Sequence, residues 1–270
     1  MSKKLGNYPD PLHILDAYGA DALRLYILSS PVVAAENLHF SEDDLASLTK
    51  NVFRMLWNSY SFFTVYAEID GWKPKVETKL PENILDRWIL AELQALTSEV
   101  TEAMEEYDIQ RAARAFAPFI DNLSNWYIRR SRKRFWKNEN DTDKEEAYGA
   151  LYTVLVSLAK LMAPFTPFVS EEIYRNLTGE ESVHLADWPK AEDSLADKTL
   201  SQDMYLVRER VTEALKLRSD RAVRVRQPLA SVIVPEAFAA PLQQIFCEEL
   251  NVKKVKKGEV LDFDWEITPN

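Results

Sequence analysis

The segment DIQRAARAFAPFIDNLSNWYIRRSRKRFW, residues 108–136, predicts a long helix that ends in the densest run of positive charge in the chain. Pro118 lies inside this pattern, and we expect a kink there because proline lacks the amide hydrogen that an interior turn requires. The final part, NWYIRRSRKRFW, contains five Arg or Lys side chains, whereas the 270-residue chain has 43 Asp and Glu against 33 Lys and Arg. A basic segment in a chain of net charge −10 calls for an explanation.

Five residues of this region, together with Lys137 directly after it, follow the spacing of one helix face and form a polar stripe edged by an aromatic: Trp126, Arg129, Arg130, Lys133, Arg134 and Lys137. Like charges at this spacing repel by about 0.2–0.5 kcal/mol per pair, so a polyanion or nearby acids should balance them. Phosphates bind arginine in a bidentate manner, and unpaired bases stack on aromatic rings. RNA binding is therefore one interpretation, and an ordinary solvated helix face is the other.

The RNA-binding interpretation predicts which side chains face solvent and which face the core, whereas the solvated-face interpretation places Trp126, Tyr127, Phe135 and Trp136 in the core. We expect the stripe cations to point to solvent, two apolar residues to turn inward, and the leading tryptophan to sit at the edge. These are Arg130, Lys133, Arg134 and Lys137 in solvent, Ile128 and Phe135 in the core, and Trp126 at the boundary.

The flanking sequence indicates a mainly α fold. Apolar residues at helical spacing predict a helical bundle over residues 41–177, with Leu56, Trp88, Leu96, Leu155 and Leu158 buried. From about residue 200 the pattern changes: a helix at about 200–219 precedes a strand in PLASVIVP, a short helix in LQQIFCEEL, and strands in VKKV and EVLDFDWEI. We therefore predict a helical bundle followed by a small α/β unit.

A second basic cluster lies in VRERVTEALKLRSDRAVRVRQ, where Arg218, Arg221, Arg224 and Arg226 lie at and beyond the predicted end of a helix. Positive charge stabilises a helix carboxyl terminus, and an RNA backbone contact is an equally good interpretation.

Composition excludes several other classes of protein. A lone cysteine, Cys247, allows neither an internal disulfide nor a cysteine-based zinc site, and it is typical of a reduced, cytoplasmic protein. No apolar run approaches the roughly 20 residues of a membrane helix, so no membrane partner is expected. There is no glycine-rich phosphate loop, and the three histidines have no ligand spacing, so no metal site and no cofactor of the chain itself are predicted.

Several motifs, in order, resemble class I aminoacyl-tRNA synthetases. The opening MSKKLGN is similar to their KMSKS signature without its first lysine, and YGADALRLYILSSPVVAAENLHF, LMAPFTPFVSEEIY and SVHLADWP follow in the spacing of that family. SNWYIRRSRKRFW and EELNVKKV resemble the isoleucine branch in particular. The resemblance covers essentially the whole chain.

The resemblance implies three regions: residues 1–40 as the end of the KMSKS loop with a stem-contact region, 41–199 as an anticodon-binding helical bundle, and 200–270 as part of a small α/β junction domain. It implies tRNA(Ile), through its anticodon stem-loop, as partner, together with the catalytic and editing domains of a parent chain. The tRNA-binding residues it implies are those of the stripe, Trp126, Arg129, Arg130, Lys133, Arg134 and Lys137, with Arg221, Arg224 and Arg226.

The same resemblance implies that Met1, Ser2, Lys3 and Lys4 contact ATP, with Mg²⁺, in the parent enzyme, and that Lys3 stabilises charge on the triphosphate. Without an ATP site to close on, we expect these first residues to be mobile. The HIGH-type motif and nucleotide-binding sheet of the family are absent from the sequence, so we expect no aminoacylation by this chain alone. Two alternatives remain open: a fragment of a valine-type synthetase, and a helical protein-interaction module whose basic helix docks an acidic partner.

Overall fold

The structure, a computed structural model, describes residues 10–75, 80–136 and 142–267. The chain forms two compact units, Met1–Ala196 and Asp197–Asn270. The predicted ATP contacts Met1, Ser2, Lys3 and Lys4, their expected mobility, and the predicted tRNA contact Lys137 all lie outside the described residues.

The described part of the larger unit consists of helices, as predicted. They are α1 (Pro11–Tyr18), α2 (Ala20–Leu28), α3 (Glu42–Leu48), α4 (Met55–Asp70), α5 (Ile84–Glu105), α6 (Ile109–Asp121), α7 (Arg129–Trp136), α8 (Thr142–Met162) and α9 (Pro167–Thr178). Short 3₁₀ turns at Pro31–Ala34, Val183–Leu185 and Asp193–Leu195 complete it. No described residue between 41 and 177 is in a strand, which confirms the mainly α prediction for this region.

Local sequence explains where several helices begin. The side chains of Ser41, Asn83 and Asp108 accept hydrogen bonds from the first-turn amides of α3, α5 and α6, at 3.0–3.1 Å. These caps satisfy amide groups that have no partner within the helix. At the other end of α4, Gly71 adopts the left-handed conformation that ends many helices.

Two helical stretches contain π-helical turns, which the sequence did not predict. One, Thr49–Arg54, joins α3 to α4, and the other, Asn122–Ile128, joins α6 to α7 shortly after Pro118. In the second turn three consecutive residues, Trp126, Tyr127 and Ile128, are all buried. A π turn holds more residues than an α turn, and this explains how all three can face the core.

The core of the larger unit contains the predicted residues. Leu56, Trp88, Leu96, Leu155 and Leu158 are all buried. Aromatic side chains join α4, α7 and α8: the ring of Phe135 packs edge-on against Phe62 at 5.0 Å and against Tyr148 at 4.9 Å between centroids. These contacts fix the inner face of α7. No helix in the described part of the chain is both long and apolar enough to cross a membrane.

The smaller unit is the predicted α/β element. It comprises α10 (Lys198–Asp220), β1 (Leu229–Val234), α11 (Ala240–Leu250), β2 (Val252–Lys257) and β3 (Asp262–Ile267). The sheet order is β2-β1-β3, with β1 parallel to β2 through the α11 crossover and antiparallel to β3. Val232 pairs with Val255 on one side and Phe263 on the other.

Candidate nucleic-acid interface

Within the larger unit, a buried ion pair holds helix α7 against helix α5. The Arg134 guanidinium donates two parallel hydrogen bonds to Asp86 of α5, Nη1 to Oδ1 at 2.7 Å and Nη2 to Oδ2 at 2.6 Å. Its Nε donates to Oδ2 of Asp143 at 2.9 Å, and Nη2 also reaches the Asp143 carbonyl at 2.8 Å. The Tyr127 hydroxyl donates to Oδ1 of Asp86 at 2.7 Å. The network joins the start of α5, the π turn, α7 and the start of α8.

Burial and charge determine the ionisation of this network. Burial alone would lower the pKa of Arg134, but the hydrogen bonds and negative charge of Asp86 outweigh it, so the net pKa is raised. Burial, reinforced by the nearby Asp86 carboxylate, raises the pKa of Tyr127 well above its ordinary value. Both side chains therefore keep their protons at neutral pH.

The prediction that Arg134 points to solvent is wrong. The residue is only 8% exposed, and Asp86 is fully buried beneath it. A side chain held by two carboxylates cannot be offered to a phosphate without leaving a buried charge unpaired. The positive charge of Arg134 is balanced within the protein by two neighbouring acids.

The prediction that Trp126 sits at the edge is also wrong, because it is only 6% exposed. The guanidinium carbons of Arg129 and Arg130 lie 5.4 and 5.7 Å from its ring centroid, within the range of cation–π attraction. Its ring therefore supports two arginines of the basic segment and has no surface to offer a base. The predictions for Ile128 and Phe135, both buried, are confirmed.

The solvent face of α7 coincides only in part with the predicted stripe. Arg129, Arg132, Lys133 and Trp136 are exposed, and Arg130 is partly exposed. Arg129 donates from Nε to the Asn125 carbonyl at 2.8 Å, which orients its guanidinium along the helix. Lys133 is in solvent as predicted, while Arg132 was absent from the predicted stripe. The placement of Trp136 in the core by the solvated-face interpretation is wrong. This face combines three cations with one aromatic ring.

The basic loop of the smaller unit is organised by a buried arginine. Arg218, 1% exposed, donates from Nη1 to the Leu250 carbonyl at 3.1 Å and from Nη2 to the carbonyls of Arg224, at 2.6 Å, and Gln227. Burial lowers the pKa of Arg218. Asn251 donates to the Val225 carbonyl at 2.9 Å and holds the loop from the other side.

This loop presents three of the four arginines of the second cluster to solvent, whereas Arg218 is buried. Arg221, Arg224 and Arg226 are exposed, and the Arg221 guanidinium carbon lies 4.1 Å from the ring centroid of Trp265. The fixed backbone gives these cations a defined arrangement. Whether they contact RNA stays a prediction.

A family model described as the anticodon-binding domain of tRNA ligase matches residues 86–234, more than half of the chain. The match includes Asp86, α7 and the loop after α10. This chain belongs to the family of tRNA ligase anticodon-binding domains. A second family model, for class I tRNA synthetases of the I, L, M and V types, matches residues 1–39.

Curated relatives of this anticodon-binding domain are isoleucine–tRNA ligases. The enzyme of Protochlamydia amoebophila (strain UWE25) is 42% identical over 264 residues, covering 94% of this chain and 25% of the relative. That of Chlamydia trachomatis serovar L2 is 45% identical over 263 residues, with the same coverage. That of Dehalococcoides mccartyi is 46% identical over 274 residues, covering 96% of this chain and 27% of the relative. The chain thus spans about a quarter of the length of these relatives.

A solved structure shares the fold of this anticodon-binding domain. It is the LeuRS chain of a ternary LeuRS–tRNA–LeuAMS complex from Agrobacterium radiobacter K84, with a TM-score of 0.52 and 21% identity. The similarity covers 73% of this chain and 23% of that one.

The sequence pattern missed two exposed residues of the anticodon-binding domain, Arg132 and Trp136. The predicted stripe began at Trp126 and continued at α-helical spacing, but the π turn at Asn122–Ile128 changes the phase of the helix.

Proposed function

We propose that this chain is the tRNA-recognition part of an isoleucine–tRNA ligase and binds the anticodon stem-loop of tRNA(Ile) through the exposed face of α7. The observation that carries the proposal is this face, with Arg129, Arg132 and Lys133 in solvent on a helix that is anchored by a buried ion pair. The family match and the isoleucine ligases among the relatives support the choice of RNA.

The electrostatic argument favours a polyanion over a solvated face. In the described part of the chain, Arg132 and Lys133 have no ion pair or hydrogen bond to an acidic side chain, whereas Arg134 has two carboxylates. The protein's own carboxylates thus balance the charge of Arg134, on the inner face of α7. Arg132 and Lys133, on its outer face, remain in solvent. Phosphates along an RNA backbone would neutralise them and release bound counterions.

The smaller unit contributes a second proposed contact. The loop with Arg221, Arg224 and Arg226 is exposed and rigidly supported by Arg218, which suits contact with a sugar–phosphate backbone. In the parent enzyme we further propose that residues 1–40 belong to the KMSKS loop and stem-contact region, and that Met1, Ser2, Lys3 and Lys4 act on ATP with Mg²⁺ in activating isoleucine.

Binding of the purified chain to tRNA(Ile) and tRNA(Val), measured over a series of salt concentrations, tests the proposal. We expect tighter binding to tRNA(Ile). Replacing Arg132 and Lys133 by alanine should weaken it and flatten the log–log salt dependence by about 0.7–0.9 for each phosphate that is no longer neutralised.

A matched control removes two exposed cations from elements other than α7, Arg175 of α9 and Lys190 in the segment after it. The Arg175→Ala/Lys190→Ala variant should keep the affinity and salt slope of the wild type. If both double variants weakened tRNA binding equally, the interaction would depend only on the net charge of the chain. Preference for tRNA(Val) would favour a valine-type ligase, and binding to neither tRNA would leave the protein-interaction module.

A further inference from the structure

Trp136 is a large aromatic side chain that the fold leaves in solvent. It is 54% exposed at the carboxyl end of α7, although its neighbour Phe135 is only 1% exposed. At helical spacing Arg132 and Lys133 lie four and three residues before it, on the same face of α7. The tryptophan therefore lies within the cationic face of the helix.

The other aromatic rings of the basic segment are already occupied. Phe135 packs between Phe62 and Tyr148, and Trp126 lies beneath Arg129 and Arg130. The Tyr127 hydroxyl donates a hydrogen bond to the buried Asp86. Among the described residues of this segment, Trp136 alone presents an aromatic ring to a ligand.

Cations beside an exposed aromatic ring suit one kind of ligand in particular. A paired stem displays phosphates, and its bases are stacked inside the helix, so arginine and lysine are sufficient to bind it. An unpaired nucleotide also exposes a flat base, which stacks on an aromatic ring while its phosphates contact neighbouring cations. The cations and the exposed ring of this face therefore match an unpaired nucleotide.

We propose that Trp136 is the base-stacking residue of this interface, and that the face of α7 engages an unpaired nucleotide of an RNA loop. The inference rests on the proposed function and adds the nucleotide state that the face recognises. Arg132 and Lys133 hold the phosphates next to the stacked base. Trp136 supplies the discrimination between looped and paired RNA.

The test compares two RNA probes: a hairpin with the anticodon loop of tRNA(Ile), and a duplex with the same stem sequence and no loop. Trp136→Ala should weaken hairpin binding by about 5- to 150-fold, the loss of one stacking interaction, and should leave duplex binding unchanged. Trp136→Phe should retain most of the hairpin affinity, because phenylalanine also stacks. Trp136→Leu, apolar but without a π face, should behave like the alanine variant.

The control is Trp57 of α4, which is 43% exposed on another helix of the same unit. Trp57→Ala should bind both probes as the wild type does. If Trp136→Ala binds the hairpin normally, or loses hairpin and duplex equally, stacking is excluded. If Arg132→Ala/Lys133→Ala weakens binding while Trp136→Ala does not, the proposed function stands and this inference falls. If the wild type binds neither tRNA nor hairpin, both fall.

Discussion

Arg132 and Arg134 are two residues apart on α7 and have opposite environments. Arg134 is enclosed with Asp86 and Asp143, and Arg132 is exposed to solvent. Removing one partner of a buried ion pair leaves the other charge without solvent or counterion, which is far more costly than losing an exposed charge. The same substitution at these two positions should therefore separate a structural role from a surface role.

Arg134→Met should lower the free energy of unfolding by about 3–5 kcal/mol, because the Asp86 carboxyl group then remains buried without its ion-pair partner. Arg132→Met should change it by no more than about 0.5 kcal/mol. Urea unfolding of both variants at neutral pH measures the difference. Similar stabilities for the two variants would show that the Asp86 pair contributes little to the fold.

The sequence predicted the inward orientation of Ile128 and Phe135 but assigned Arg134 wrongly. Apolar side chains reveal their burial by their type, whereas a buried arginine depends on a partner carboxylate. Here that partner is Asp86, 48 positions away in the sequence. Nothing local marks the pair, so the candidate site was only partly predictable at the scale of single residues.

At the scale of elements, α4 and α8 are joined by an ion pair whose lysine is buried. Lys144, 2% exposed, contacts Asp70 at 2.6 Å, and the Tyr148 hydroxyl donates to the same carboxylate at 2.5 Å. Burial alone would raise the pKa of Asp70, but the hydrogen bonds from Lys144 and Tyr148 outweigh it, and the net pKa lies below the ordinary value of 3.8. The contact joins the last residue of α4 to the first turns of α8.

This contact predicts a dependence of stability on acid. Because the folded pKa of Asp70 is depressed, its contribution is complete above the unfolded value near 3.8 and is lost as pH falls through the folded value. Asp70→Asn should lower stability at pH 7 by about 3 kcal/mol, since Lys144 stays buried, and should lose less stability on acidification than the wild type. Urea unfolding between pH 7 and pH 3 measures both effects. Parallel curves for the two proteins would contradict the assignment.

Helices and strands were largely predictable, and the π turns were not. Apolar spacing located α5 and α8, and β-branched residues between prolines located β1, because these patterns follow from the faces that each element buries. A π turn adds a residue to a helix without changing its composition. The turn at Asn122–Ile128 was thus invisible in the sequence, and it changes the phase of Trp126 relative to the cations of α7.

The whole molecule carries net charge −10, while the exposed face of α7 carries Arg129, Arg132 and Lys133. At about 0.15 M salt, screening limits each charge to about 8 Å, so RNA on α7 experiences mainly the local cations. At about 0.01 M salt the range increases to about 30 Å, and distant acids also repel the RNA. The acidic surface therefore opposes binding only in dilute salt.

Affinity for tRNA should consequently rise less steeply as salt falls toward about 0.01 M than a straight log–log extrapolation from higher salt requires. Replacing the exposed acids Glu105, Glu180 and Glu181 by glutamine should reduce this curvature and leave affinity at about 0.15 M almost unchanged. Fluorescence anisotropy with labelled tRNA over this range measures it. A straight line for the wild type would show that distant charge has no influence.

The π turn at Asn122–Ile128 also has a consequence for how this segment tolerates sequence change over evolution. A substitution on the outer surface alters one side chain, but an insertion or deletion within the turn rotates everything that follows it. Deletion of one residue would move Arg134 out of reach of Asp86 and carry Arg132 and Trp136 toward the protein interior. Selection should therefore act on the length of this segment more strictly than on the identity of its exposed residues.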